Sequence, residues 1–292
     1  MTNISVLTPN QLSWYKLLDS GNGKKLEQIG QYKIVRPDSQ ALWQPTLAEQ
    51  ECQTADAIYT RDTGTYGNWK KTTDIPDSWI VEHNSLKFII KLTPFGHIGV
   101  FPEQEVHWKF IDEHLSKSEK QLKVLNLFSY TGTSTMIASK QGAHVTHVDA
   151  SKPALNWAVE NQKASGLEKN PIRWIIDDAL KFVKRERRRE NSYDGILLDP
   201  PKFGRGPKGE VWQFEDNFVE LLQSCIEILS SEPQFIIITA YAIPISSITL
   251  GTILEQSMQK FKGKTEYGEL ALPERASGKL LPTSLFARWS AK

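Results

Sequence analysis

Cysteine is scarce in this chain, and its placement suggests neither a metal site nor a disulfide framework. Only Cys52 and Cys225 occur among the 292 residues. They lie far apart and match no zinc-ligand spacing, whereas disulfide-stabilised folds carry several closely set cysteines. We therefore expect no structural metal and no stabilisation by disulfides.

Long apolar runs are also missing. No run approaches the roughly 20 apolar residues that a membrane-spanning helix needs, and FIIITAYAI at 235–243 has the length of a buried strand. The opening residues, MTNISVLTPN, contain no basic segment followed by an apolar core, so they do not resemble a secretory signal. These absences predict a cytoplasmic protein without membrane contact.

The chain also lacks an excess of charge of one sign. It has 35 Lys and Arg against 34 Asp and Glu, a net charge of +1, which argues against nucleic-acid binding through bulk electrostatics. One local exception is KFVKRERRRE at 181–190. This segment is either the solvated face of a helix or a patch that contacts phosphates, in which Arg187 and Arg188 are the candidate contacts.

The first hundred residues have the pattern of short strands. QYKIVRPD, ADAIYTRD, SWIVEHN and SLKFIIKLT are rich in β-branched and aromatic residues and are separated by turn residues. The pair Asn84 and Ser85 marks a hairpin turn between the last two. We predict a small antiparallel β unit over residues 1–100, followed by a second domain over 101–292.

From residue 122 strands and helices alternate, which predicts a parallel sheet with helices on both faces. The strand segments include KVLNLF, HVTHVDA, IRWIID, YDGILLD and QFIIITAY. The last two strands, TEYGELAL and SLFARWS, are joined by a segment too short to contain a crossover helix. They should therefore pair as an antiparallel hairpin. The predicted fold class is α/β, a Rossmann-like sheet that ends in this hairpin.

Ligands of open α/β sheets bind beyond the carboxyl ends of the strands, and three successive strand ends carry suitable groups. Asp149 can accept the hydroxyls of a ribose, and Asp178 can accept an adenine amine. The first loop, around Gly132, precedes a helix whose N-terminus offers N–H donors. Each acid can instead cap a helix, and the glycine can simply form a tight turn. The candidate cofactor residues are Phe128, Ser129, Tyr130, Thr131, Gly132, Asp149, Ala150, Asp178 and Ala179.

The missing G-x-G-x-x-G motif decides which adenosine cofactor is expected. A dinucleotide needs closely spaced glycines that admit its pyrophosphate, and FSYTGTST contains only Gly132. S-adenosylmethionine has no phosphate and needs acceptors for its ribose, adenine and ammonium groups. The sequence therefore predicts S-adenosylmethionine as the cofactor.

The fourth strand ends in LDPPKFGRG, where a methyl acceptor would lie. Methyl transfer is an in-line displacement, so the enzyme mainly holds a nucleophilic atom in position. Asp199 and the carbonyls of Pro200 and Pro201 can accept hydrogen bonds from a base amine, and Phe203 can stack on an extruded base. A flexible loop that follows would close over phosphates through Lys202, Arg205 and Lys208. The alternative is a rigid turn with an incidental aromatic residue, and Trp212 beyond it either lines the pocket or anchors the next helix.

Three segments make the chain recognisable: 124–167 with its LFSYTG loop, DDALKFV at 177–183, and LDPPKFGRGPKG at 198–209. They resemble the class I S-adenosylmethionine-dependent methyltransferases, and most closely the branch that modifies large-subunit ribosomal RNA at cytosine C5 or guanine N7. The resemblance implies a seven-stranded sheet, the cofactor over the FSYTG loop, Asp149 on the ribose, Asp178 near the adenine, and Asp199 facing the acceptor. It also makes the N-terminal β unit a substrate-recognition appendage.

One departure from that branch bears on the reaction. The C5-specific members attack the pyrimidine ring with a cysteine just past the fifth strand, because carbon 5 is not nucleophilic without a covalent adduct. Here that stretch contains Ala240 and Tyr241 instead. A nitrogen carries its own lone pair, so we predict direct transfer to a base nitrogen of RNA, and the resemblance implies ribosomal RNA as the substrate. A small-molecule or protein acceptor, or a non-catalytic RNA-binding role, are the alternatives.

Overall fold

The computed structural model describes residues 4–10, 12–61 and 66–292. The chain divides into two compact units, each discontinuous in sequence. The α/β unit comprises Met1–Leu7, Val106–Leu270 and Ser284–Lys292, and the β unit comprises Thr8–Glu105 and Ala271–Thr283. Whether residues 1–100 and 101–292 act as separate functional domains stays a prediction.

The described residues form the following elements in chain order. The strands are β1 (Ser5–Leu7), β2 (Tyr15–Gly21), β3 (Lys24–Ile29), β4 (Tyr32–Pro37), β5 (Ala57–Thr60), β6 (Asn68–Lys71), β7 (Ser78–His83), β8 (Leu86–Lys91), β9 (Lys123–Leu127), β10 (His144–Asp149), β11 (Ile172–Ile176), β12 (Gly195–Leu198), β13 (Phe203–Arg205), β14 (Val211–Gln213), β15 (Phe235–Ala240), β16 (Gly263–Pro273) and β17 (Leu280–Ala291). The helices are α1 (Glu49–Gln53), α2 (Glu105–Leu115), α3 (Thr133–Lys140), α4 (Lys152–Ala164), α5 (Ala179–Arg188), α6 (Phe214–Glu227) and α7 (Ser247–Ser257), with a 3₁₀ turn at Pro102–Gln104.

The main sheet has the strand order β1-β16-β17-β15-β12-β9-β10-β11. Strands β9 to β12 and β15 pair in parallel, and β17 runs antiparallel to β15. The predicted parallel sheet with a C-terminal antiparallel hairpin is confirmed, and the seven predicted strands are joined by an eighth, β1, which pairs in parallel with β16. Strand order reverses between β9 and β12, so the ligand crevice is expected at the carboxyl ends of these two neighbours.

Burial explains why the central strands are so apolar. All four residues of β12 and all six of β15 are buried, as expected for parallel strands covered on both faces. Helix α6 packs its apolar stripe into the same core through Phe218, Leu221 and Leu222. The buried parts of the parallel strands end at the same level of the sheet. The polar residues that follow them therefore lie together at the carboxyl edge of the sheet.

The β unit contains a five-stranded sheet, β2-β3-β4-β5-β6, and the separate hairpin β7–β8. Its pairs are antiparallel except for β4 with β5, whose long connection includes α1. The predicted turn between β7 and β8 is confirmed: Asn84 and Ser85 adopt φ values of 48° and 64°. The strands β2 and β3 were not predicted, because their polar alternation is weak, although Gly21-Asn22-Gly23 between them is a hairpin signal.

Two further properties of the described residues concern membranes and metals. None of the helices in this part of the chain combines the length and apolar character required to cross a bilayer. Among the same residues, no group of three or more His, Cys, Asp or Glu is arranged to hold a metal ion.

Candidate active site

The loop after β9, residues 128–132, has an unusual backbone. Phe128, Tyr130 and Gly132 have φ values of 56°, 49° and 78°, all in the left-handed region. This conformation costs about 1–2 kcal/mol for each residue other than glycine. Such a backbone persists only where surrounding contacts hold it, and in ligand-binding loops it often marks pre-organisation.

Hydrogen bonds from buried side chains hold this loop. The Ser129 hydroxyl lies 2.6 Å from the carbonyl of Asn126 and 3.1 Å from that of Val148. The Asn161 amide, on α4, donates to the Thr131 carbonyl at 2.9 Å. Residues 128–132, called the cofactor loop below because the sequence predicts that they border the cofactor, are therefore tied to β9, β10 and α4 independently of any ligand.

Gly132 serves packing as well as backbone geometry. A Cβ at this position would lie 3.0 Å from the Cβ of Ala158 and 3.3 Å from the ring of His147. The close approach that this glycine permits is therefore to α4 and β10. Its positive φ adds a second reason for glycine, as expected for the alternative of a tight turn.

Asp149, the last residue of β10, has a carboxylate shaped to receive two further donors. Its Oδ2 accepts the N–H of Tyr130 at 2.7 Å and its Oδ1 accepts the N–H of Ser151 at 2.8 Å. A carboxylate offers about four acceptor positions, so each oxygen retains one, which suits the two neighbouring hydroxyls of a ribose. Burial raises the pKa of Asp149, and the two backbone hydrogen bonds partly oppose that rise. The cap of α4 is Ser151, which accepts from Ala154 N, and not Asp149.

Asp178 does cap a helix. Its Oδ1 accepts the N–H of Lys181 at 2.9 Å at the start of α5, so this alternative from the sequence is confirmed. The neighbouring Asp177 forms an ion pair with Arg185 at 2.6 Å. Only Oδ1 of Asp178 takes part in the cap, and its Oδ2 can still accept an adenine amine. Capping and cofactor binding are therefore compatible at this residue.

The segment after β12 is a hairpin, which corrects the expectation of a flexible loop. Asp199 is exposed at the strand end, and β13 then pairs antiparallel with β14. Phe203 lies opposite Gln213 and Arg205 opposite Val211, so these four side chains share one face of the hairpin. Phe203 is 55% exposed and Val211 is 52% exposed, an apolar surface beside the strand ends that carry the candidate residues.

Trp212 connects this hairpin to the cofactor loop. Its indole N–H donates to the carbonyl of Pro201 at 2.6 Å, and its ring lies 4.9 Å from that of Phe128. The side chain is buried. The Pro201 carbonyl, expected to face the acceptor, is thus already engaged. Trp212 anchors residues 199–205, called the acceptor segment below because the sequence predicts that they face the methyl acceptor.

Most cations of the basic segment in α5 are paired with acids. Arg187 lies 2.8 Å from Glu227 and Lys184 lies 2.5 Å from Glu220, both acids on α6. Further pairs are Lys181 with Glu210, Arg185 with Asp177 and Arg189 with Glu186. This arrangement favours the solvated helix face over the phosphate patch for every one of these residues. Arg188 has no acidic partner within the described ranges.

The cations of the hairpin are placed differently. Lys202, Arg205 and Lys208 are exposed, and in the described part of the chain none of them forms an ion pair. Arg205 lies 6.0 Å from the Phe203 ring centroid. These three side chains stay available to contact phosphates.

Sequence reasoning missed a buried polar chain beneath the cofactor loop. The Asn126 amide donates to the Thr135 hydroxyl at 2.9 Å, which lies 3.0 Å from Nδ1 of His147. Burial lowers the pKa of His147 to about 3, so the ring is neutral. The sequence signal that could have revealed this chain is a polar residue inside an apolar strand: Asn126 in β9 and His147 in β10.

Comparison with known proteins identifies the family of this site. A profile described as S-adenosylmethionine-dependent methyltransferase matches residues 53–246. A crystal structure of a SAM-dependent methyltransferase from Agrobacterium tumefaciens is 44% identical, with a TM-score of 0.95, over 99% of this chain and 94% of that one.

Two curated relatives match over shorter regions. A ribosomal RNA large subunit methyltransferase K/L from Shewanella frigidimarina is 32% identical over 54% of this chain and 22% of its own length. A ribosomal RNA large subunit methyltransferase K from Neisseria meningitidis is 25% identical over 56% of this chain and 46% of its own length. The chain thus spans less than half the length of these relatives. Because the family profile covers more than half of the chain, the protein belongs to the S-adenosylmethionine-dependent methyltransferases.

Proposed function

We propose that this methyltransferase transfers a methyl group to a base nitrogen of large-subunit ribosomal RNA. The names of the two curated relatives specify that RNA. The observation that carries the proposal is that Asp199 is exposed beside the face of the β13–β14 hairpin that presents Phe203. Asp199 follows β12, the immediate neighbour of β9, and its N–H lies 3.4 Å from the carbonyl of Leu127. The acceptor segment and the cofactor loop therefore begin at adjacent strand ends.

The residues present suit S-adenosylmethionine, which supplies an electrophilic methyl group on a sulfonium. Asp149 would receive the ribose hydroxyls at the acceptor positions that its two backbone hydrogen bonds leave. Asp178 would receive the adenine amine at Oδ2, beside Ala179. The pre-formed 128–132 loop would border the cofactor together with Ala150, without a rearrangement of its backbone.

On the acceptor side, the chain's own residues hold and orient a base. Asp199 would accept a hydrogen bond from an exocyclic amine, and the exposed ring of Phe203 would stack on the base. Pro200 and Pro201 restrict the backbone between them. Lys202, Arg205 and Lys208 would contact the flanking phosphates. The β unit is proposed to recognise the substrate.

The cysteines support transfer to nitrogen. A covalent route to carbon 5 requires a thiolate at the site, and burial raises the pKa of Cys225, which is fully buried within α6. Cys52 lies in the β unit, where burial also raises its pKa. Neither thiol is poised as a nucleophile, whereas a ring or exocyclic nitrogen needs no covalent adduct.

A second candidate is a methyltransferase for a small molecule or a protein. It is favoured by the ion pairing of α5 and by the net charge of +1. The exposed aromatic and basic face of the β13–β14 hairpin favours RNA.

The test is transfer of a tritiated methyl group to ribosomal RNA from a strain that lacks this gene, followed by mass spectrometry of the nucleosides. We expect label in a base methylated on nitrogen, and far less label with Asp199→Ala. Methyl at cytosine C5 would overturn the nitrogen assignment. Label in protein or small molecules, with none in RNA, would favour the second candidate.

A further inference from the structure

Trp212 occupies a special position in the α/β unit, because one indole contacts the segments that follow two adjacent strands. Its N–H donates to Pro201, two residues after Asp199, at 2.6 Å. The same ring packs against Phe128, the first residue of the cofactor loop. Since β9 and β12 are paired at Leu127 and Leu198, the indole spans the ends of both strands.

Strand pairing holds the tryptophan in place for this contact. Trp212 lies opposite Gly204 in the hairpin. The Phe214 N–H donates to the carbonyl of Lys202 at 3.0 Å and closes the base of the hairpin. Two hydrogen bonds thus hold the acceptor segment at Pro201 and Lys202, directly before Phe203.

A second attachment holds the tip of the hairpin. Glu210 lies 2.6 Å from the Lys181 ammonium and also accepts the N–H of Lys208 at 2.8 Å. Lys181 belongs to the first turn of α5, which Asp178 caps. The Lys181 hydrogen bond holds the pKa of Glu210 at about 2, so this pair stays ionised in the neutral range. Because Lys181 is exposed, the pair contributes little energy of its own, and Trp212 is the principal attachment.

We infer that Trp212 is a positioning residue for methyl transfer, which sets the place of the acceptor segment relative to the cofactor loop. The inference rests on the proposed role of Asp199 and Phe203 in holding the acceptor. In-line transfer needs the reacting atoms about 3–3.5 Å apart, and a displacement of about 1 Å can lower the rate about 100-fold. The indole hydrogen bond prevents such a displacement at Pro201.

Trp212→Phe provides the test, since phenylalanine keeps an aromatic ring beside Phe128 but cannot donate to Pro201. We expect kcat for RNA methylation to fall about 10- to 100-fold, while the dissociation constant of S-adenosylmethionine changes by less than about threefold. The tryptophan control is Trp289→Phe, the same substitution at an equally buried site. Trp289 pairs with Ile236 near the start of β15, away from the strand ends that carry the site. Both variants should lose stability, and only Trp212→Phe should lose kcat.

Hydrogen exchange separates this inference from the proposed function. In Trp212→Phe, but not in Trp289→Phe, amides of β13 and β14 should lose protection whichever acceptor the enzyme uses. Unchanged protection there, or an unchanged kcat beside normal wild-type RNA methylation, would overturn the positioning role. Wild-type enzyme that labels no RNA would instead count against the proposed substrate, and the exchange data would still decide the role of Trp212.

Discussion

At the scale of single residues, the ionised carboxylate proposed to bind the cofactor at Asp149 is also one that burial disfavours. Its carboxylate is largely buried and lacks a cationic partner among the described residues, and burial raises its pKa. Two backbone N–H groups stabilise the charge only in part. A carboxyl group perturbed in this way is a candidate for a ligand-binding role, which we propose for Asp149.

The first prediction concerns cofactor affinity. Asp149→Ala should weaken S-adenosylmethionine binding by about 1.5–3 kcal/mol, the loss expected for hydrogen bonds to a charged group. Titration calorimetry measures it. The matched control is Asp194→Ala, which also removes a carboxylate that accepts a backbone N–H, that of Lys123 at 2.8 Å, but precedes β12 at the opposite edge. Equal affinities for the wild type and Asp149→Ala would remove this residue from the cofactor site.

The second prediction concerns pH. An acid whose pKa is raised by folding contributes stability below its unfolded pKa, and this contribution is lost as the pH rises through the folded value. The free energy of unfolding of Asp149→Asn, relative to that of the wild type, should therefore increase as the pH rises from about 3.5 to 7. Urea unfolding of both proteins without cofactor at several pH values measures this difference. The contributions of the other titrating groups are the same in both proteins, so they cancel. A difference that does not vary with pH would contradict the raised pKa.

At the scale of elements, α5 is held by a buried carboxylate. Glu186 is fully buried and accepts hydrogen bonds from Arg173 on β11 and from the Tyr193 hydroxyl at 2.7 Å. Burial opposes ionisation of Glu186, but Arg173, Tyr193 and Asn191 outweigh it and hold its pKa below the usual range. The helix that bears Asp178 is thereby fixed to the sheet.

The third prediction tests this attachment. Glu186→Ala should lower the free energy of unfolding by about 2–4 kcal/mol, because it leaves the Tyr193 hydroxyl and the Arg173 guanidinium without their acceptor. Glu220→Ala, which breaks only the exposed pair with Lys184, should cost about 0–1 kcal/mol. Urea unfolding compares the two, and equal losses would show that the Glu186 network contributes no more than a surface pair.

The elements also show where sequence patterns suffice. The strands of the main sheet from residue 122 onward were predicted from their apolar, β-branched and aromatic residues. The hairpin β13–β14 was not, since its strands have three residues each and depend on the indole of Trp212 bonding to Pro201. Likewise β1, with three residues, becomes a strand only by pairing with β16 more than 250 positions later in the chain.

The same distinction holds in the candidate site. The acids at the strand ends were predicted, because a polar residue that ends an apolar strand is a local signal. The partners that orient them are not local. Asn161 reaches the cofactor loop from a helix 30 residues away, and Arg187, expected on phosphate, is paired with Glu227, 40 residues further along the chain. Such pairings follow from the packing of α4 beside the loop and of α5 on α6, which composition does not reveal.

At the scale of the whole molecule, the balance of 35 cations and 34 anions limits how RNA can be bound. The near-neutral net charge gives no overall electrostatic attraction to RNA. Most cations of the basic segment in α5 form ion pairs with neighbouring acids. Four candidate phosphate contacts keep no acidic partner within the described ranges: Arg188, Lys202, Arg205 and Lys208. RNA affinity should therefore depend on salt only modestly.

The fourth prediction makes this quantitative. If three or four phosphates of single-stranded RNA are contacted, the logarithm of the association constant should fall with the logarithm of salt concentration with a slope of about −2 to −3. Fluorescence anisotropy with a labelled ribosomal RNA fragment, between about 50 and 200 mM salt, measures it. Lys208→Gln should make the slope shallower by about 0.7, the share of one phosphate. Lys184→Gln, at a lysine already paired with Glu220, should leave the slope unchanged. A wild-type slope of zero would favour the small-molecule acceptor, because a ligand without phosphates releases no counterions.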